Sequence, residues 1–365
     1  MEKFGLSSLY GAKSHPYFIY APRWINSSAG IKALHFLCHA LNTSGQKAYL
    51  VLTEGPHQGE PRVNYQLLTP ILSQEGCDAY FKAGVTPVVI YSETIPGNPL
   101  GATCIVRYLM NFAGALGGPS LFDENELIVS FSKKIAEDYG AKNCISEPKV
   151  LFLPPIDPRE FIKTENKEAF QLVYAGKYRS FIGKPPKVGN LQSVEIFRDG
   201  PRMQSREQVK QLLSRASILY SFENSSIVTE AILSGTPARF VKNEFLGEII
   251  AETELGVGGL VQSESEADLE SARQLIDAGI DQYYKKIDDF FLDLREFIET
   301  TQNLAATEGF RDPITVPVHG QFFSQHRVDL ARQIFRNQGF LTLLRVTYHF
   351  TMRRLSWRYW MNRER

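Results

Sequence analysis

Two carboxylates, Glu223 and Glu230, stand with six residues between them, and Ser225 and Ser226 lie in that interval. A carboxylate can accept hydrogen bonds from both hydroxyls of a ribose, and the exposed N–H groups of a helix start favour phosphate. One turn that offers both groups has the chemistry of a nucleotide site. His35 and His39 have the i, i+4 spacing of a metal-binding pair, but no third ligand accompanies them. The expectation is that they flank the apolar face of their helix and that no metal is bound. The four cysteines, Cys38, Cys77, Cys104 and Cys144, show no C-x-x-C spacing and are expected to be reduced and mostly buried.

The elements that must position these groups can be read from pattern. Residues 218–220 form a short, partly β-branched run that suits a buried strand. Ser225 or Ser226 offers an N-cap hydroxyl, 227–233 is apolar over about two helical turns, and Gly235 with Pro237 ends the helix. A further strand follows at 238–241. In an open α/β sheet, ligands bind outside the carboxyl ends of the strands, which is where this turn would lie.

Upstream, strands are predicted at 17–20, 48–52, 85–91, 126–130 and 150–153. A helix is predicted at 31–41, with Ile31, Leu34, Cys38 and Leu41 on one face. Between residues 91 and 126 the glycines Gly97, Gly101, Gly114, Gly117 and Gly118 confine any helix to about 103–112. The run Pro154-Pro155-Ile156-Asp157-Pro158 marks the best domain boundary, because proline continues neither strand nor helix. A second alternating run follows, with strands at 172–175 and 194–197, a helix at 205–215, the turn described above, and an acidic helical region at about 264–300. The fold class expected is α/β, with two Rossmann-like domains facing a cleft, 1–155 and 156–322, and C-terminal helices over 323–365.

Length and composition agree with two domains. The chain has 365 residues, 43% hydrophobic and 22% charged, and its 40 basic residues balance its 40 acidic ones. No global charge points to nucleic acid. The N-terminus lacks an apolar signal region, and no run of 18 uncharged residues exists, so a cytoplasmic location is expected. Residues 323–365 differ in character, with nine arginines, no lysine and two acidic residues, interleaved with Phe340, Phe350, Trp357, Tyr359 and Trp360. Basic segments rich in Trp and Phe can lie in an anionic membrane interface. Packing across the domains is expected for the first part of this tail. Peripheral contact with the inner face of the plasma membrane is expected for residues 346–365.

Four stretches together resemble a GT-B glycosyltransferase of the large retaining group called family 4. The loop before Gly30 resembles that group's glycine-containing loop. VLFLPPIDPREF resembles its interdomain segment, and LVYAGKYRS resembles the first strand of its donor domain. SFENSSIVTEAILSGTP resembles its glutamate motif with the ending EA-x-x-x-G-x-P. The family motif has seven residues between its glutamates, one more than here. The resemblance implies that Glu230 binds the nucleotide ribose and that Glu223 lies near the donor sugar. It implies that Gly30 approaches the donor diphosphate or the acceptor, and that Gly176 and Lys177, with Arg179 or Lys184, serve the diphosphate. A leaving pyrophosphate accumulates negative charge and needs cations or N–H donors. Ser225 and Ser226 belong to the same donor-binding set.

Glu93 immediately follows the 85–91 strand and is the candidate base that an inverting enzyme would need; in a retaining enzyme it would bind acceptor hydroxyls. The resemblance implies a nucleotide-sugar donor, no required metal and, by analogy, retention. The tail extends the expectation to a lipid-linked glycan acceptor in bacterial lipopolysaccharide, O-antigen or capsule synthesis. A GT-B-like sugar-nucleotide epimerase and a non-catalytic nucleotide-sugar-binding subunit are the alternatives.

Overall fold

The computed structural model describes residues 15–316 apart from 26–27, 54–61, 117, 155, 199, 244–245, 247–248, 257 and 310–311. The tail at 323–365, with the packing and membrane contact expected of it, lies outside the described residues. Described residues before Ile156 and after Lys286 form one unit, and Ile156–Lys286 form a second. No helix among the described residues is long and apolar enough to cross a membrane.

The first unit is a parallel sheet of β1 (Tyr17–Ala21), β2 (Ala48–Leu52), β3 (Val88–Ser92), β4 (Cys104–Leu109), β5 (Leu127–Ser130) and β6 (Lys149–Val150). The strands run in the order β2-β1-β3-β4-β5-β6. Every residue of β1, β3 and β4 is buried, which is why these strands read as continuous apolar runs rather than alternating ones. Outside β2, Ile71 forms a parallel bridge to Leu50. Helices α1 (Ala29–Thr43), α2 (Gln74–Lys82) and α3 (Lys133–Asn143) accompany the sheet. Each begins at a serine, Ser28, Ser73 or Ser132, whose side chain accepts an N–H of the first turn.

The helix expected at 103–112 is instead the strand β4. A short apolar run carries no period that separates helix from strand. Here the β-branched pair Ile105–Val106 and the central place between β3 and β5 decide for strand. That strand buries Arg107 completely. All five of its N–H donors are used: Nε and Nη2 bond the Glu126 carboxylate at 2.7 and 2.9 Å, Nη1 bonds the carbonyls of Ile95 at 2.7 Å and Ser92 at 3.3 Å, and Nη2 also bonds Gly97 O at 2.9 Å. The guanidinium lies between the rings of Tyr91 and Phe122, with centroids at 5.1 and 4.7 Å. Arg107 thus ties down the loop that leaves β3 and carries Glu93.

On the first unit's other flank, the chain returns after a long excursion. The Tyr17 hydroxyl bonds Thr301 Oγ1 at 2.8 Å, and Gln302 bonds both the N–H and the carbonyl of His15. Farther along, Ile314 joins the buried cluster of Phe18, Tyr20, Val89 and Tyr91, and Gln74 bonds the backbone of Ile314 and Val316.

The second unit contains β7 (Glu168–Tyr174), β8 (Gln192–Glu195), β9 (Ala216–Ser221), β10 (Ala238–Phe240) and β11 (Leu260–Val261), all parallel in the order β11-β10-β9-β7-β8. Its helices are α4 (Gly176–Phe181), α5 (Arg206–Arg215), α6 (Ser226–Leu233), α7 (Glu252–Leu255) and α8 (Glu266–Gln274). The helix α9 (Ile276–Thr307) begins in this unit and ends in the first. The acidic helical region is therefore two helices, broken at Leu275. Lys167 closes the amino side of this sheet, where its ammonium bonds the carbonyls of Ser214 and Ser234, the last of which caps α6. The α/β class and two Rossmann-like sheets follow from these connections.

The histidine pair on α1 faces the backbone. His35 is fully buried and its Nε2 donates to Pro22 O at 2.9 Å, while His39 Nδ1 accepts the N–H of Leu68 at 2.9 Å. Three of the cysteines are buried and Cys144 is exposed, and none is paired with another.

Substituting Arg107→Met leaves the Glu126 carboxylate, 6% exposed, without its counter-charge. The expected loss is about 3–5 kcal/mol in denaturant unfolding, part of which Arg107→Met/Glu126→Leu restores. Burial also lowers the His35 pKa below its ordinary 6.5. The unfolded chain then binds more protons, so stability is present above about pH 6.5 and is lost as pH falls through the lower folded value. Unfolding at pH 7.5 and 5.5 should show this loss, and His35→Gln, which keeps the donor to Pro22, should reduce it.

Candidate functional site

The strand order of the second unit reverses between β7 and β9, so the crossovers leaving these two strands diverge to opposite sides and open a crevice at their carboxyl ends. The chain after β7 turns directly into α4 at Gly176. The chain after β9 runs through Phe222, Glu223, Asn224 and Ser225 into α6. The two meet at Gly176: a Cβ there would lie 2.7 Å from Glu223 Oε1 and 3.0 Å from the Tyr174 hydroxyl. A side chain at this point would displace the Glu223 carboxylate.

Glu223 is held from its backbone. Ser221 Oγ donates to its carbonyl at 2.8 Å. Asn243 Nδ2 donates to Phe222 O at 2.9 Å and Val241 O at 2.8 Å, and Asn224 Oδ1 accepts the N–H of Ile250 at 3.0 Å. The carboxylate that family register left one residue out of step is therefore placed at the strand end, 8% exposed, beside Gly176.

Glu230 lies one turn into α6, a helix buried on all sides from Ile227 to Leu233. Ser225 is its N-cap in an extended conformation, with no side-chain cap bond, and Ser226 Oγ donates weakly to Glu230 Oε1 at 3.4 Å. The helix stops where the pattern places its end. Gly235 takes a φ of +78°, and the N–H groups of Gly235 and Thr236 return to the carbonyls of Ile232 and Ala231. A guanidinium completes the surroundings of Glu230, because Arg198 Nη2 donates to Oε2.

Arg198 was not singled out by motif. It sits in the loop after β8, where a Gly-Pro turn between two arginines, Arg198 and Arg202, follows a strand directly. That run was the available signal. Phe197 in the same loop carries Arg202 over its ring at 4.0 Å and Arg179 at 5.4 Å. Arg179 itself pairs through Nε and Nη2 with both oxygens of Glu195. Of the two residues offered as the second diphosphate cation, Arg179 is thus committed to a carboxylate and Lys184 is exposed. Lys177 is the second residue of α4.

The first unit has its own reversal, between β1 and β3. Glu93 follows β3 there. It is 3% exposed, and its Oε2 accepts the N–H of Met110, just beyond β4, at 3.1 Å. Gly118, at φ +93°, passes so close that a Cβ would lie 2.9 Å from Glu93 O. Gly30 is the second residue of α1, beside the Met110 side chain. A Cβ there would sit 3.7 Å from Met110 Cε, an ordinary contact, so packing within the protein does not demand glycine at that position. The unit thus gathers Gly30, Met110 and Glu93 at its strand ends. Among the described residues, no group of three His, Cys, Asp or Glu could hold a metal ion.

No protein-family model and no curated protein matches this chain. Among solved structures it is similar to AviGT4, a glycosyltransferase involved in avilamycin A biosynthesis, at 15% identity over 82% of this chain and 100% of that one, with a TM-score of 0.46. It is also similar to SnogD, a glycosyltransferase from Streptomyces nogalater, at 14% identity over 80% and 99%, with a TM-score of 0.40. A third is WaaG, a glycosyltransferase involved in lipopolysaccharide biosynthesis, at 12% identity over 86% and 99%, with a TM-score of 0.40.

Proposed function

We propose that this chain is a glycosyltransferase that moves a sugar from a nucleotide-sugar donor to a glycan acceptor. The observation that carries the reading is the second unit's switch point. There Gly176, Glu223, Ser225, Ser226 and Glu230 stand at the ends of adjacent parallel strands, with two buried carboxylates at one strand-to-helix turn.

In this reading Glu230 accepts the ribose hydroxyls, which a buried carboxylate does well because it is an acceptor only. The diphosphate lies toward the N-terminal N–H groups of α6 and toward Lys177, so charge that develops on the leaving group meets fixed dipoles and a cation rather than a metal. Glu223, against Gly176, borders the donor sugar. The acceptor is served by the first unit. With retention of configuration no base is required, and Glu93 then orients an acceptor hydroxyl; with inversion it would take the proton. Retention is the proposed course. The basic, aromatic composition of 346–365 supports a lipid-linked acceptor on the cytoplasmic face of a membrane, as in synthesis of a bacterial surface polysaccharide.

Calorimetric titration or thermal shift with UDP, GDP, CMP, dTDP and ADP tests the donor assignment. One of these should bind, and Glu230→Ala should weaken it about 10- to 100-fold, the effect of losing hydrogen bonds to a charged acceptor. Equal affinity in wild type and Glu230→Ala would sink the assignment.

A further inference from the structure

Glu230 is a carboxylate in a largely apolar, buried helix, and its side chain is only 10% exposed. Among the described residues, two groups bond to it: the Ser226 hydroxyl at 3.4 Å, a long contact, and the Arg198 guanidinium, itself 16% exposed. Among these residues the counter-charge is supplied by one side chain, from a loop that belongs to a different crossover.

That loop is built to hold its shape. Gln204 bonds it three times: its Oε1 accepts the N–H of Phe197 at 2.7 Å, its Nε2 donates to Glu195 O at 3.0 Å, and its own N–H donates to Phe197 O at 3.1 Å. Gly200 turns the chain at φ +74°, and the next residues lead into the capping box of α5 at Ser205 and Gln208. Arg198 is presented from a loop tied at both ends. Its Nε is also buried and has no hydrogen-bond partner among the described residues. A buried N–H donor without a partner is costly, and a ligand oxygen arriving at Glu230 is one way to satisfy it.

We propose that Arg198 determines how the site reads the sugar of the donor nucleoside. It aims the Glu230 carboxylate so that the free lone pairs face the ribose diol, and it offers its own Nε–H to the same hydroxyls. This rests on the donor reading of α6. It assigns Arg198 a hydroxyl-specific role that a purely structural ion pair would not have. A structural staple weakens binding of every nucleotide alike. A hydroxyl reader changes the preference for nucleotides that carry the diol.

The test measures calorimetric affinity of the full chain for UDP, GDP, CDP and ADP and for their 2′,3′-dideoxy counterparts. Four proteins are compared: wild type, Arg198→Met, Arg198→Lys and Glu230→Gln. Wild type should prefer the diol-bearing ligand by about 30-fold or more. Arg198→Met should cut that preference about tenfold, because a charge-assisted hydrogen bond and the aim of a second are lost. Arg198→Lys should retain an intermediate preference, since the ammonium keeps the charge without the planar fork. Should Arg198→Met not fold, the Arg198→Lys preference decides by itself: a wild-type ratio overturns the role. If Glu230→Gln loses the preference while Arg198→Met and Arg198→Lys keep it, Arg198 is a staple and the inference falls, with the donor reading intact. If wild type shows no preference for the diol, or Glu230→Gln leaves it unchanged, the donor reading falls and takes the inference with it.

Discussion

Charged side chains buried or half-buried around parallel strands need compensation, and much of this protein's local architecture answers that requirement. Leaving an ionised group in an apolar interior without a partner costs several kcal/mol, about as much as a whole domain's net stability. Glu126 is answered by Arg107, Glu230 by Arg198, Glu195 by Arg179, and Glu93 accepts the Met110 N–H. Each pairing joins segments that belong to different strands or crossovers. The loops at the strand ends therefore acquire defined shapes, which a functional site needs before it can discriminate ligands.

The two units meet the requirement differently. In the first, one arginine inside a central strand spends every donor on a neighbouring carboxylate and three carbonyls, so the loop bearing Glu93 is tied to the sheet. In the second, Arg179 on α4 and Arg198 on the loop after β8 stand outside the sheet and reach across to Glu195 and Glu230. Arg179 and Arg202 lie over the Phe197 ring. The first arrangement is saturated. The second retains a buried Nε–H on Arg198 without a partner among the described residues.

Local signals were sufficient wherever one short segment decided its own conformation. The turn from β9 through α6 to β10 was legible because its parts have local causes: a β-branched run, a glycine able to take positive φ and a proline that forbids continuation; Ser225 stands at the N-cap, but its hydroxyl makes no cap bond. The stretch at 103–112 was not legible for the opposite reason. Ile105, Val106 and Tyr108 around a charged Arg107 give no clear period, and an arginine in a central buried strand makes sense only with Glu126 placed beside it. The pairing of Arg179 with Glu195 likewise follows from β7 lying next to β8. The resemblance had offered Arg179 or Lys184 as the second cation for the diphosphate.

By itself the amino-acid sequence determined the α/β alternation, the proline-rich break, the short helix bearing Glu230 with its glycine stop, and the residues worth suspecting at the strand ends. These are consequences of periodicity and backbone preference within a few residues. Tertiary structure decided the strand order, and with it which ends form a switch point. It also decided that α9 returns to the first unit, that Glu223 lies against Gly176, and that Glu230 pairs with Arg198. Those outcomes depend on contacts between residues tens of positions apart, and a buried charge takes whichever partner the folded chain brings within reach.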